Sequence, residues 1–322
     1  MTAGTIPTLD EALHIDVKLE IERISAFIRS EVRRRGAHGV MIGLSGGLDS
    51  STCAALCRRV LPPDQIHVLA LPERDSSPKE LLQAHNVAKQ LGLDLSEKYL
   101  TKYFDLLGIY SLVPREVAND RPRLERAMST LRRLSGSPSL FTWSQKFAFG
   151  ERRGVLGGIL RNNLWAYAGK TEAFVMSKVR TRMLVLSSQA MLLDSLLICT
   201  TDHSEWSVGF YDPLGDGAGD LAPLRHLYKT QIREVARELE IPQEILDQPS
   251  SGDLAAGLPN EVAMGLSYEQ LDHVLAGLDL GLSESEIAQQ AGVSRAMVKG
   301  IREACSMADT RRALPVGIVS SS

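Results

Sequence analysis

The sequence predicts an α/β fold, a Rossmann-like parallel sheet with helices on both faces, and a small helical part at its C-terminal end. Short apolar runs alternate with segments of helical periodicity, which is typical of parallel strands joined by crossover helices. A glycine turn follows the first apolar run, at the kind of place where such sheets bind ligands. The 322 residues, 44% of them hydrophobic, are enough to form a sizeable core.

The first half of the chain supplies the first strands. Apolar residues from Val17 to Ile28 recur at helical spacing, and the basic run at 33–35 before Gly36 suits a helix C-terminus. A helix therefore precedes the first strand. Apolar runs and helical periodicity then alternate up to residue 99. They predict strands at 39–44 and 66–71, a possible third strand at 94–99, and helices at 50–60 and 78–91.

The second half continues the alternation. Residues 178–193 are expected to form a helix that leads into an apolar strand at 195–200, and residues 229–240 form another helix. Residues 282–304 then have the pattern of two short helices around a glycine turn. This pattern suits a DNA-binding helix-turn-helix or an ordinary helical hairpin, and the second helix would offer DNA only Arg295 and Lys299 near its start.

Residues 110–163 depart from the alternation. They are rich in arginine and contain four aromatic residues close together. Such a segment inside an α/β fold is a lid, an interface or a partly disordered insertion, and its basic residues could also hold nucleic acid or phosphate. We therefore divide the chain into four parts: 1–109 with the glycine turn, the insertion at 110–163, the second half of the sheet at 164–248, and the helical segment at 249–322, which completes the site.

Charge and patterning restrict the partners. The formal net charge of −3 gives no global reason to expect nucleic acid or a membrane surface as the main partner. The first twenty residues lack the pattern of a signal peptide, and polar residues interrupt the apolar stretch at 183–200. We therefore expect a cytoplasmic protein that acts on a small molecule. The cysteines lack zinc-ligand spacing and are interpreted as reduced packing residues: Cys53, Cys57, Cys199 and Cys305.

The glycine turn carries the chemistry. Residues 45–50 read Ser-Gly-Gly-Leu-Asp-Ser between a predicted strand and a predicted helix. Glycines let the backbone approach a phosphate, and a helix N-terminus attracts that anion. Asp49 stands where a Walker loop has lysine, and an aspartate beside phosphates makes sense mainly as a magnesium ligand. The plainer alternative is a tight turn with Asp49 in the first helical turn, where acids are favoured anyway.

This string matches the PP-loop signature of ATP pyrophosphatases, and further strings resemble the ammonia-dependent NAD synthetase family over most of the chain outside the insertion. The resemblance implies that the nicotinate carboxylate of deamido-NAD is adenylated by ATP and then amidated by ammonia. It also implies magnesium and a homodimer, with the ammonia free or supplied by a separate glutaminase. The further strings lie at 71–78, 177–183, 200–205, 215–224, 227–231, 249–250 and 261–275.

Residue roles follow from this resemblance alone. It implies Asp49, Lys229 and Asp216 as catalytic residues, Asp49 and Glu205 as magnesium ligands, and Arg180, Asp220 and Arg311 as contacts of the carboxylate substrate. Arg180 and Arg182 are two apart on a helix, so only one should reach the site. The resemblance implies the following ATP-binding residues: Gly43, Leu44, Ser45, Gly46, Gly47, Asp49, Ser50, Thr200, Lys229 and Ser250.

The acceptor side departs from the family pattern, so the chain is a divergent member. Tyr211-Asp212-Pro213 stands where the family has Phe-Thr-Lys, and Thr310-Arg311-Arg312 stands where it has His-Lys-Arg. These changes leave open a related enzyme that adenylates another carboxylate. A PP-loop enzyme that modifies tRNA would need a sulfur-handling cysteine near the loop. A binding module without catalysis would be expected to have lost Asp49 or Glu205, and both are present.

Overall fold

A four-stranded parallel sheet forms the centre of the protein. The computed structural model describes residues 7–113, 158–250 and 259–312, and the side chains of all of these except 158–168, 263 and 311. The strands are β1 (Gly39–Gly43), β2 (Ile66–Ala70), β3 (Leu95–Glu97) and β4 (Ser195–Leu197), in the order β3-β2-β1-β4. Every pairing is parallel, with Val40 opposite both Ile66 and Leu196.

Side chains of the strands alternate between two buried clusters, because successive residues of a strand point to opposite faces of its sheet. Val40 and Ile42 belong to the large cluster on one face, whereas Met41 between them belongs to a smaller cluster on the other. Leu196 and Leu197 divide in the same way. Both faces are therefore covered, which confirms the predicted α/β class.

Helices connect and cover the strands. In the first half they are α1 (Leu9–Leu13), α2 (Val17–Arg35), α3 (Leu48–Arg58), α4 (Pro78–Leu91) and α5 (Thr101–Leu106), with short 3₁₀ turns at Pro63–Gln65 and Ile109–Ser111. In the second half they are α6 (Gly158–Leu192), α7 (His203–Val208), α8 (Lys229–Glu238) and α9 (Gln243–Leu246). The C-terminal helices are α10 (Asn260–Met264), α11 (Tyr268–Asp279), α12 (Glu284–Gln290) and α13 (Arg295–Arg312).

Capping residues set the ends of these helices. The Asp16 side chain accepts a hydrogen bond from the N–H of Leu19 at the start of α2, and Ser77 does the same for Glu80 at the start of α4. Gly36 and Gly92 end these helices with a φ of 65°, in the left-handed region that favours glycine. Both helix ends therefore agree with the sequence prediction.

The helix before β4 is longer than predicted. It begins at Gly158 rather than at Lys178 and so includes the last residues of the predicted insertion. Phe174, buried against the cluster that contains Phe104 and Tyr110, anchors this additional helical part to the domain. β4 ends at Leu197 instead of Thr200, and the chain beyond it forms an isolated parallel bridge between Ile198 and Leu221. Short helices also occur where none was predicted, among them α5 and α7.

The C-terminal helices form a cluster of their own. Apolar side chains of α11, α12 and α13 pack together with Leu9 of α1 and Val208 of α7. The predicted helical hairpin is α12 and α13, and Val298 and Ile301 of α13 are buried in this cluster. Of the helices in the described ranges, none has the length and apolarity needed to cross a membrane.

Candidate active site

The glycine loop connects β1 to α3 at the carboxyl end of the sheet. Gly46 has a φ of +84°, and a Cβ atom there would lie 2.0 Å from the carbonyl oxygen of Glu80. Glycine is therefore required at this position by both backbone conformation and space. The Ser45 hydroxyl accepts the N–H of Gly47 at 3.2 Å, and the Ser50 hydroxyl lies 3.0 Å from it and donates to the Gly47 carbonyl. These bonds hold the loop in one shape.

The loop leads into a helix start that suits an anion. Gly47 is the N-cap of α3 and makes no side-chain capping bond, so the first turn of the helix points its N–H groups and positive dipole end at the loop. The residues before the loop contribute differently. Leu44 is buried and Gly43 packs against Leu186 of α6, so any contact of these two with ATP would come from the backbone.

A buried lysine lies against the loop. Lys229, the first residue of α8, has no exposed side-chain surface, and its Nζ donates to both carboxylate oxygens of Asp49 at 2.9 Å. The same ammonium lies 3.1 Å from Oε1 of Glu205 and 2.6 Å from Oδ2 of Asp202. Three residues that were predicted separately, Asp49, Glu205 and Lys229, therefore meet at one point.

This cluster holds more negative than positive charge. Burial, together with the negative charge of the neighbouring Asp202, raises the pKa of Glu205 to about 8. Burial also raises the pKa of Asp202, to about 6, although Lys229 opposes the change. Burial alone would lower the pKa of Lys229, but the surrounding carboxylates raise it well above its usual value. One ammonium cannot neutralise three ionised carboxylates, so their ionisation would be favoured by a further cation.

The donor chemistry of the cluster fits magnesium in part. Asp49 and Glu205 are hard oxygen ligands, and Mg²⁺ typically takes one or two carboxylates and completes its shell with phosphates and water. Within the described residues, no group of three or more His, Cys, Asp or Glu side chains is arranged to hold a metal by itself. Asp49 and Glu205 would therefore supply two ligands at most, and phosphate and water would have to complete the shell of any Mg²⁺ held there.

Two residues of the cluster were missed by the sequence prediction. Asp202 is completely buried and also caps α7 through the N–H of Glu205. Tyr268 of α11 donates its hydroxyl to Glu205 at 3.0 Å. Asp202 belongs to one of the matched strings, and its position before a short helix is the available signal, but that position also suits an ordinary N-cap. Tyr268 also belongs to a matched string, the one at 261–275, but nothing in that string relates it to Glu205.

Ser250 joins this cluster through a chain of hydrogen bonds. Its carbonyl accepts the N–H of Asn260, the Asn260 amide donates to the Tyr268 hydroxyl, and that hydroxyl donates to Glu205. Thr200 follows β4 and is half-buried, so it lies at the same carboxyl edge of the sheet as the loop. The ATP roles of these two residues remain predictions.

Arg180 and Asp220, two of the predicted substrate residues, have partners other than Lys229. Arg180 forms a two-pronged ion pair with Asp212, with distances of 2.6 and 3.2 Å, and half of its side chain is exposed. Arg182 donates to the carbonyl of Leu71 instead. The two arginines therefore have different partners, and which of them reaches the substrate stays a prediction. Asp212 belongs to the Tyr-Asp-Pro segment that differs from the family pattern. This difference therefore places a carboxylate against Arg180, a predicted substrate residue.

The prediction of Asp216 as a catalytic residue, and those of Asp220 and Arg311 as substrate contacts, stay untested. Asp216 accepts the N–H of Asp212 at 2.7 Å, and its own carbonyl accepts the Thr201 hydroxyl, so its hydrogen bonds hold the turn. Asp220 binds Arg35 at 3.1 Å and the N–H of Leu197 at 2.9 Å. The side chain of Arg311 lies outside the described residues.

A second buried ion pair links two of the matched strings. Lys178 and Glu73 have no exposed side-chain surface and lie 2.6 Å apart, and the Tyr110 hydroxyl donates to the same Glu73 carboxylate. Phe174 packs against the Lys178 ammonium at 4.3 Å. This pair fixes α6, and with it Arg180, to the segment that follows β2.

The chain matches known proteins over most of its length. The family described as NAD synthase matches residues 20–119 and 167–315, so the interval between the two matches falls largely in the predicted insertion. The "NH(3)-dependent NAD(+) synthetase" of Thermotoga maritima is 33% identical over 80% of this chain and 86% of that protein. The protein of the same description from Rhizobium meliloti is 30% identical over 90% of this chain and 87% of its own length.

Solved structures share the fold. An NH3-dependent NAD synthetase from Campylobacter jejuni superposes with a TM-score of 0.63 at 20% identity, covering 95% of this chain and 100% of that one. A structure described as an NMN synthetase from Francisella tularensis superposes with a TM-score of 0.65 at 21% identity, covering 95% and 99%.

Proposed function

The chain belongs to the NAD synthase family, and on that premise we propose that it makes the amide of NAD from deamido-NAD, ATP and ammonia. It is an AMP-forming carbon–nitrogen ligase. The observation that carries the proposal is the contact between the buried Lys229 ammonium and Asp49 of the glycine loop, at 2.9 Å.

The reaction has two balanced steps. A carboxylate oxygen of the nicotinate group attacks the α-phosphorus of ATP, and the bond to the β-phosphate oxygen breaks, which gives an acyl adenylate and pyrophosphate. Ammonia then attacks the acyl carbon, loses one proton to solvent and displaces AMP, so that one oxygen of the original carboxylate ends in AMP. Because ATP supplies a good leaving group in each step, the protein contributes mainly positioning and neutralisation of charge.

The residues divide this work between them. The Gly46-Gly47 turn and the first turn of α3 bind the phosphates through backbone N–H groups. The Lys229 ammonium lies 2.9 Å from Asp49, close enough to the loop to neutralise the pyrophosphate as it forms. Arg180 binds the acceptor, and Asp212 holds its guanidinium in place through their ion pair at 2.6 Å.

Magnesium is part of the proposal. Asp49 and Glu205 would hold it, and the ion would neutralise phosphate charge during the transfer. The excess of carboxylates around Lys229 supports this assignment, because a divalent cation would allow Glu205 to ionise in spite of the burial that raises its pKa to about 8.

Partners and assembly are also proposed. Ammonia comes free or from a separate glutaminase. A homodimer is supported by the apolar side chains that α6 exposes, Leu184 at 65%, Met191 at 83% and Leu192 at 77%, since an exposed apolar row of this kind suits an interface. A cytoplasmic location is supported by the use of ATP.

A second acceptor is favoured by one observation. Asp212, in the segment that diverges from the family, pairs with the guanidinium of Arg180. The carboxylate offsets the positive charge that Arg180 would otherwise present to the acceptor. A smaller or differently charged nicotinate compound is therefore the second candidate. Nicotinate mononucleotide is a concrete case, because one protein of the same fold is described as an NMN synthetase.

The experiment is a substrate panel. The protein is incubated with ATP, Mg²⁺ and ammonium, and AMP and pyrophosphate are measured without acceptor, with deamido-NAD and with nicotinate mononucleotide. Stimulation by deamido-NAD with equal amounts of AMP and NAD supports the proposal. Stimulation by another acid alone would retain the chemistry and reject the substrate, and formation of ADP would reject both.

A further inference from the structure

One face of α11 extends from the C-terminal part into the active site. Tyr268 and Asp272 are both completely buried, and because they are four residues apart they lie on the same side of the helix. The Tyr268 hydroxyl donates to Glu205 at 3.0 Å, and its ring lies 5.0 Å from the Lys229 ammonium. Asp272 contacts the start of α8 at the N–H of Thr230, the residue that follows Lys229.

The start of α8 takes its cap from other elements. Its N-cap residue is Tyr228, which is a poor capping type, and the Tyr228 hydroxyl donates instead to Asp279 at 2.8 Å. The first N–H groups of a helix need acceptors from outside the helix. Ser204 accepts the N–H of Lys229 at 3.0 Å, and Asp272 accepts the N–H of Thr230 at 2.8 Å.

These two acceptors form one unit. The Ser204 hydroxyl donates to Oδ1 of Asp272 at 2.5 Å, while Oδ2 of the same carboxylate accepts the Thr230 N–H. Ser204 is the second residue of α7, between Asp202 and Glu205, so its movement would also disturb two carboxylates of the cluster. A negative side chain at this point is further favoured by the positive end of the α8 dipole.

The backbone of Lys229 is thus fixed at the residue from which the buried side chain extends to the loop. That side chain has no exposed surface, and its ammonium contacts the carboxylates of Asp49, Asp202 and Glu205. A shift of the helix start would move the ammonium with it, and a displacement of about 1 Å in a positioned group can cost about a hundredfold in rate.

We propose that Asp272 is a positioning residue for the ATP reaction, which acts through Ser204 and the backbone of residues 229–230 to set the Lys229 ammonium against Asp49. The C-terminal helical part is then required for AMP formation itself and not only for stability. The inference rests on the proposed function for its kinetic readout, but its second readout is the affinity for ATP, which needs no acceptor.

The test compares three single variants in the full chain. Asp272→Asn keeps an acceptor for Thr230 but presents an amide N–H₂ group to the Ser204 hydroxyl, and Ser204→Ala removes the acceptor of the Lys229 N–H. The matched control is Glu269→Gln, on the same helix, which weakens an exposed ion pair with Arg233 of α8 and leaves the backbone cap intact. We expect kcat for AMP formation to fall about 10- to 100-fold in the first two variants, with KM for the acceptor within about twofold and the control near wild type.

A double-mutant cycle of Asp272 and Lys229 distinguishes a positioning role of Asp272 from a role in packing alone. Calorimetry gives the affinity for ATP with Mg²⁺ in wild type, Asp272→Asn, Lys229→Ala and the double variant. We expect Asp272→Asn to weaken ATP binding in the wild-type background and to have no further effect once Lys229 is gone, since its influence passes through that ammonium. Urea unfolding of each variant shows how much folded protein is present.

Two results would overturn the proposal. One is wild-type kcat and ATP affinity in both Asp272→Asn and Ser204→Ala, with only the urea midpoint lowered. The other is an equal loss of ATP affinity from Asp272→Asn with and without Lys229. Failure of the proposed function would look different, because the wild type itself would then form no AMP with any acceptor while the ATP affinities still decide the role of Asp272.

Discussion

Replacement of Glu205 by Gln should make the protein more stable and less active. Burial and Asp202 raise the pKa of Glu205 from 4.5 to about 8, so without a bound cation the folded state favours the neutral acid. A group whose pKa is raised on folding contributes its stability fully below its unfolded pKa and loses it as the pH rises through the folded pKa. The wild type should therefore lose stability between about pH 4.5 and pH 8, and the glutamine variant should avoid that loss.

The magnitude follows from the same values. A tenfold change in an equilibrium constant corresponds to about 1.4 kcal/mol, so the rise from 4.5 to about 8 makes ionisation of Glu205 cost the folded state about 5 kcal/mol. The free energies of unfolding of Glu205→Gln and wild type should differ little near pH 4.5. Above pH 8 the variant should be more stable by a few kcal/mol.

Urea unfolding at pH 5, 7 and 9, without Mg²⁺ and nucleotide, measures this difference. The matched control is Glu269→Gln, which removes a carboxylate with 58% of its side chain exposed and should change stability by about 0.5 kcal/mol or less at every pH. Addition of Mg²⁺ and ATP should favour the wild type over Glu205→Gln. A Glu205→Gln variant that is less stable than wild type at pH 9, or a difference that does not depend on pH, would refute the reasoning.

Three further predictions concern the loop and the acceptor side. Gly46→Ala should abolish ATP binding in calorimetry, because its Cβ would meet the Glu80 carbonyl at 2.0 Å with φ at +84°; normal affinity would contradict the described loop. Asp49→Ala should lower the initial rate of AMP formation about 10²- to 10³-fold, and an unchanged rate would remove the basis for the magnesium site. Arg180→Ala should raise KM for the acceptor much more than KM for ATP in steady-state assays, with Asp212→Asn raising it less; equal effects on the two KM values would argue against an acceptor role.

The glycine loop was predictable from sequence because its constraints are local. Ser45 to Ser50 are neighbours in the chain, and the φ that requires glycine at Gly46 belongs to a turn between a strand and a helix that both show their periodicity. The strands were also predictable, since Val40 and Met41 bury opposite faces and the whole run is therefore apolar. The longer α6 was missed because its additional part is held by the tertiary contact of Phe174.

The parts of the site that were missed depend on contacts between distant segments. Asp202 has the sequence pattern of an ordinary N-cap, and only its distance of 2.6 Å from Lys229 gives it a place in the cluster. Tyr268 and Asp272 come from the C-terminal part, and their roles depend on how that part packs against α8. Asp212 was recognised as a divergent acid, but its partner Arg180 follows only from the folded structure.

The most direct test of the central claim follows the oxygen atoms of the acceptor. Deamido-NAD labelled with ¹⁸O in its nicotinate carboxylate is incubated with the protein, ATP, Mg²⁺ and ammonium, and the products are analysed by mass spectrometry. Adenylation of the carboxylate at the glycine loop predicts one ¹⁸O in AMP, none in pyrophosphate and one remaining in the amide of NAD. Label in pyrophosphate or phosphate, or AMP without label, would contradict the account.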